Sequence, residues 1–154
     1  MYVSLSTKLD IVKLPKAYLV KSANHSVAQL PGLSQSQIEQ LKAIGIVTTF
    51  DLLRQGNSVV QRQQLSKKLS TNIKHIHKWA ALANLSRIPS VGCQYCGLLL
   101  HAGVSTPQQL ATMSVQQLHP QLLRLQVQLF NRVDRAPDTA QVAAWIQQAQ
   151  QILA

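Results

Sequence analysis

With 154 residues, 46% of them hydrophobic and only 5% aromatic, the chain can build a packed core, but mainly from Leu, Ile, Val and Ala, which suits stacked helices better than sheets. Lys plus Arg outnumber Asp plus Glu by 15 to 5, a formal charge of +10 that bears on partners and solubility rather than on fold. No apolar run nears the ~18 residues of a membrane span, Lys13 and Lys16 interrupt any signal-peptide core, and two cysteines are too few for a disulfide scaffold. The expectation is a soluble cytoplasmic protein.

Residues 1–29 form a basic N-terminal segment carrying Lys8, Lys13, Lys16 and Lys21, with apolar residues of mixed period. A first helical repeat is expected over residues 30–87. Pro31-Gly32 marks a tight turn, and Ser34 with Gln37 has the spacing of a capping box that opens a helix. Ile38, Leu41 and Ile44 give its apolar stripe, and Gly45 is placed to stop it in a left-handed conformation. Thr48 with Asp51 caps a short helix that ends near Gly56. Two longer helices follow, over 58–69 and 71–85; in the second, Ile73, Ile76, Trp79, Ala80 and Ala83 share one face.

A second repeat is expected over residues 88–154, because the first returns at a constant offset of 58 (89 − 31). Pro31 pairs with Pro89, Leu33 with Val91, Leu41 with Leu99, Gly45 with Gly103, Ile46 with Val104, Thr48 with Thr106 and Leu52 with Leu110. Such self-similarity marks a repeated structural unit. Pro107 fits the first position of a helix. Ser114 with Gln117 caps another, whose start or kink is assigned to Pro120 and whose stripe runs through Leu122, Leu125, Leu129 and Val133. After an insertion at 134–138, Val142, Trp145 and Ala149 repeat Ile76, Trp79 and Ala83 at an offset of 66 (142 − 76). The two tryptophans read as core anchors. The fold class is all-α, two tandem repeats packed as one helical domain.

The string of an aliphatic residue, Pro31-Gly32-Leu33-Ser34, a helix, Gly45 and a short helix, with its echo at Pro89-Ser90-Val91-Gly92 and Gly103, resembles the helix-hairpin-helix superfamily, most closely its function-unassigned branch with two tandem units. The resemblance covers residues 30–154. It implies hairpin loops whose backbone amides, at a helix N-terminus, hold a phosphate without reading sequence. DNA-binding members carry two loop glycines and a following cation. Here Ser34 replaces one glycine, Ser90 replaces another, and Gln35 and Gln94 stand where the cation is expected.

The strongest cationic feature lies outside the loops. Lys67 and Lys68, then Lys74 and Lys78, flank the Ser70-Thr71 corner, and no acid occurs between Asp51 and Asp134. A field of one sign draws polyanions. The leading expectation is therefore a non-enzymatic module that engages nucleic-acid backbone through this patch and the loop residues Gly32, Leu33, Ser34, Ser90, Val91 and Gly92. The alternative is an adaptor that docks its basic surface on an acidic protein partner. Cys93 and Cys96 form a C-x-x-C at a helix start, where a lowered thiol pKa permits redox chemistry. A zinc site wants four ligands and the chain has no second C-x-x-C, so no metal or cofactor is expected. The scattered acids leave no positioned acid, base or nucleophile, which excludes an enzyme from the expectation.

Overall fold

Short polar side chains write the helix starts. Ser34, Thr48, Ser58, Ser114 and Asp138 each accept the backbone N–H three residues on, while that residue's side chain returns to the cap's own N–H. Each box satisfies amides that a helix would otherwise leave without a partner. The computed structural model describes residues 21–131 and 136–153. Within them lie α1 (Gln35–Ala43), α2 (Thr49–Gln55), α3 (Val59–Leu69), α4 (Ile73–Ser86), α5 (Gly92–His101), α6 (Pro107–Ala111), α7 (Val115–Phe130) and α8 (Thr139–Ile152). A 3-10 turn at Val27–Gln29 precedes them. The described residues are all-helical apart from one isolated antiparallel bridge, Ser26 to Thr48. Among them, no helix is long and apolar enough to cross a membrane.

The glycine stops behave as their spacing predicts. Gly45 and Gly103 have φ of +86° and +88°. The amide of Gly45 donates to the Lys42 carbonyl and that of Ile46 to Leu41; Gly103 and Val104 repeat this with Leu100 and Leu99. In both places the residue after the glycine and the leucine it bonds are fully buried. This pairing of a 6→1 bond with an apolar contact closes a helix and turns the chain sharply.

The chain condenses into two compact bodies. The first comprises Ala23–Arg87 and Val91–Thr106; the second holds, among the described residues, 21–22, Ile88–Ser90, 107–131 and 136–153. The sequence repeats divide at 87/88, whereas α5, which opens the second repeat, belongs to the first body.

In the first body α4 packs on α2, α3 and α5. Ile76, Trp79, Ala80, Leu82, Ala83 and Leu85 are all buried along it. Fully burying an aliphatic side chain of this size contributes roughly 1.5–3 kcal/mol, so α4 is the element around which this core is organised. It starts at Ile73 rather than at Thr71, because Asn72 accepts the Lys74 amide and serves as the cap. Residues 23–27 strap across the start of α2. The His25 amide donates to Thr49 Oγ1 and its carbonyl accepts the Thr49 amide, Asn24 Oδ1 accepts the amide of Phe50 at 3.0 Å, and Ala23 donates to the Arg87 carbonyl at 2.8 Å. Residues 1–20 of the expected basic segment lie outside the described residues.

In the second body α8 packs on α6 and α7. Val142, Trp145, Ile146 and Ala149 are buried, so Trp145 anchors this core as Trp79 anchors the other. The α7 helix starts at Val115 behind the expected Ser114–Gln117 box, and Pro120 lies inside it, where its ring removes the bond to the Gln116 carbonyl. One expectation for α7 is corrected. Its buried stripe is Leu118, Leu122 and Gln126, in i+4 steps, while Leu129 is 46% exposed. Val133 lies outside the described residues.

Candidate functional site

The first hairpin loop stays open to solvent. Gly32 is exposed at φ +84°, a conformation in which a side chain is strained. A Cβ placed there would sit 3.8 Å from Lys78 Nζ. Leu33 is half-buried, and Ser34 is exposed but engaged. The Ser34 amide donates to Gln37 Oε1 at 2.8 Å, and its hydroxyl oxygen accepts from the Gln37 amide at 3.1 Å. The box thus takes up the Ser34 and Gln37 amides, so those two are not available to grip a phosphate, contrary to the expectation for a hairpin loop.

The second loop is tied to α8, although Ser90 itself is exposed. Ser90 donates its amide to Gln148 Oε1 (2.9 Å), accepts from Gln148 Nε2 at its hydroxyl (2.7 Å) and accepts the Trp145 indole N–H at its carbonyl (3.2 Å). All three polar atoms of Ser90 are spent on α8. Val91 and Gly92 are buried. Gly92, at φ +51°, has the imidazole of His25 3.8 Å from where a Cβ would stand. The two loops share the proline and the following aliphatic residue but exchange Gly and Ser at the other two positions, and they differ in their hydrogen bonding.

The cations stand where the sequence places them. Lys67 and Lys68 lie in the last turn of α3, where positive charge complements the helix dipole. Lys74 and Lys78, four residues apart on α4, share a face opposite buried Ile76 and Trp79. All four are exposed. Between them Ser70 turns the chain at φ +49°, and Ser66 Oγ donates to the Thr71 carbonyl. Arg62 points elsewhere: its guanidinium donates to the Gly56 carbonyl at 2.7 Å and lies 3.2 Å from His77 Nδ1. Among the described residues the single ion pair joins Arg54 to Asp51, so the lysine field is not neutralised by paired acids.

Beside the open loop lies a cleft of about 370 Å³, wholly within the first body. Pro31 and Gly32 form one wall, Lys78 and Leu82 on α4 a second, and Gly97, Leu100 and His101 on α5 the third. Sequence reasoning missed Leu82, Gly97, Leu100 and His101. One signal was present: Gly97 interrupts an otherwise apolar helix, where glycine costs about 1 kcal/mol against alanine and often marks a close approach. The approach is real, since a Cβ there would lie 3.4 Å from Pro31 Cγ.

Comparison with known proteins places these elements in one family. A family model described as "Domain of unknown function (DUF4332)" matches residues 31–152. The chain belongs to the DUF4332 family. Comparisons with curated proteins and with solved structures returned no match. The DUF4332 region begins at Pro31, the first residue of the cleft wall, and contains all four lysines and both cysteines.

The thiols of this DUF4332 domain do not follow the expectation of a lowered pKa. Both are free, Cys93 half-buried and Cys96 buried. Burial pushes Cys93 up, and burial together with the neighbouring Cys93 pushes Cys96 up to about 12. Desolvation of the thiolate outweighs the positive helix end. Among the described residues no group of three or more His, Cys, Asp or Glu is gathered to hold a metal.

Proposed function

We propose that this DUF4332 domain is a duplicated helix-hairpin-helix protein, without catalytic activity, that binds the phosphate backbone of nucleic acid without reading its sequence. The contacts come from Lys67, Lys68, Lys74 and Lys78 together with the Gly32 loop. The matching helix stops at Gly45 and Gly103 and the matching anchors Trp79 and Trp145 support the duplication.

One observation carries the binding reading. Lys78 Nζ stands 3.8 Å from the position a Cβ would take at Gly32. The loop lacks its own following cation, since Gln35 occupies that place, and α4 supplies one from a distant part of the sequence. A loop glycine that lets a phosphate approach, with an ammonium beside it, is a cation-assisted anion seat. Lys74, Lys67 and Lys68 then extend the positive track, and the Ser90 loop takes no part.

The test is binding to random-sequence duplex and single-stranded DNA or RNA across a salt series. Each phosphate neutralised on a duplex contributes about −0.9 to the slope of log K against log salt, so four lysines give a slope of about −3 to −4. The double variant Lys74→Gln, Lys78→Gln lowers its magnitude by about 2. Absence of binding at low salt removes the reading. Recovery of one stoichiometric acidic protein after nuclease treatment moves it to the adaptor alternative.

A further inference from the structure

The cleft beside the open loop has a shape and polarity that a backbone-tracking surface does not need. Nucleic-acid backbone lies along a positive face, whereas this cleft is concave and walled on three sides by the loop, α4 and α5. Its volume of about 370 Å³ falls in the range of about 300–1,000 Å³ typical of small-molecule pockets. Two donors line it, the Lys78 ammonium and the His101 ring, and no carboxylate does. The rest of the lining is apolar: Leu82, Leu100 and Pro31 offer a surface for carbon. Gly97 keeps that surface bare, and any side chain there would project beside Pro31.

These features sort the possible anions. A phosphodiester in a continuous strand carries one charge and has carbon on both sides, so it cannot enter end-on. A phosphate monoester carries about −1.5 to −2 charges near neutral pH and three acceptor oxygens. It enters oxygens first towards Lys78 and His101, and its single organic substituent meets the Leu82 and Leu100 side. We propose that the cleft binds a phosphate monoester bearing a compact apolar or planar group. That chemistry is shared by a free mononucleotide and by the 5′-phosphorylated end of a strand; the strand-end form rests on the backbone-binding reading above, and the mononucleotide form does not.

The test uses the full chain and four probes: adenosine 5′-monophosphate, adenosine, and a short random-sequence DNA with either a 5′-phosphate or a 5′-hydroxyl. Charge-assisted hydrogen bonds of this kind correspond to about a tenfold to hundredfold change in affinity. The monophosphate is expected to bind at least about tenfold more tightly than adenosine. Lys78→Gln and His101→Gln should each remove about tenfold, while Arg124→Gln, at an exposed position outside the cleft, leaves the monophosphate unaffected. Both cleft positions are exposed, and a thermal melt confirms that the variants fold. If only the phosphorylated strand gains affinity and the mononucleotide does not bind, the site is assigned to a strand end. If the monophosphate shows no advantage over adenosine and the two strand ends bind alike, the inference is overturned; salt-dependent binding of the 5′-hydroxyl strand in that same experiment would leave the lysine face standing.

Discussion

Cys93 and Cys96 share a turn near the positive end of α5, a setting that ordinarily lowers a thiol pKa, yet burial raises both and carries Cys96 to about 12. The consequence for pH has a definite sign. Cys96 stays a thiol in the folded chain while the unfolded chain ionises near its ordinary value of 9.0. Its contribution to stability is therefore complete below about pH 9 and is lost as pH rises towards 12. Denaturant midpoints across an alkaline series should fall, and Cys96→Ala should flatten the fall. At neutral pH, iodoacetamide should modify Cys96 only when denaturant is added; rapid modification of the native chain would contradict the burial argument. Ser70 poses a different residue-scale problem. It holds φ +49° without being glycine, a conformation that costs an L-residue about 1–2 kcal/mol. Glycine returns part of that as unfolded-state entropy, so Ser70→Gly is expected to stabilise the fold by about 0.5–1 kcal/mol, read as a shift in urea midpoint at constant slope.

At the scale of elements, the two hairpins diverge where their sequences do, Gly32 against Ser90 and Ser34 against Gly92, and in what packs beside them. The Ser34 loop is followed by its own capping box, whereas the Ser90 loop is held by Gln148 and Trp145 from α8. Gln148→Ala breaks two hydrogen bonds to Ser90 and should destabilise the chain by about 1–2 kcal/mol without altering nucleic-acid affinity at low salt. An equal loss of affinity and stability would return the second loop to the binding surface. The helix starts after Ser34, Thr48 and Ser114 were legible because they depend on neighbours in sequence, through bonds three residues long, and Gly45 and Gly103 need only a free left-handed φ. The stripe of α7 was not. Leu118, Leu122, Leu125 and Leu129 offer two overlapping apolar lines at helical spacing, and the partner decides which is covered. The structure covers the line through Gln126 and leaves Leu129 exposed. The cleft was illegible for the same reason on a longer range, since Gly32, Lys78 and Gly97 meet only through the packing of α4 and α5.

At the scale of the whole molecule, the sequence repeats and the compact bodies cut the chain at different places, and that difference has a measurable consequence. Repetition in sequence puts the end of the first repeat at Arg87. Packing gives another answer, because α5 lies against α4 and belongs to the first body with the segment through Thr106. Val91, Leu98, Leu99 and Val104 are all buried. At roughly 1.5–3 kcal/mol for each such side chain, their removal takes away as much as the entire net stability of an ordinary domain, about 5–15 kcal/mol. It also uncovers Leu82 and the neighbouring face of α4. A fragment ending at residue 87 should therefore lack a cooperative thermal transition and bind a hydrophobic dye. A fragment ending at residue 106 retains both segments of the first body and should melt cooperatively, with the lysine face and the cleft intact. Calorimetry on the two fragments decides between the boundaries: a cooperative melt of the shorter one, at the same temperature as the longer, would show that α5 is dispensable to the body it completes here. The longer fragment should in that event gain nothing from its extra residues, whereas the packing requires them to supply most of its stability.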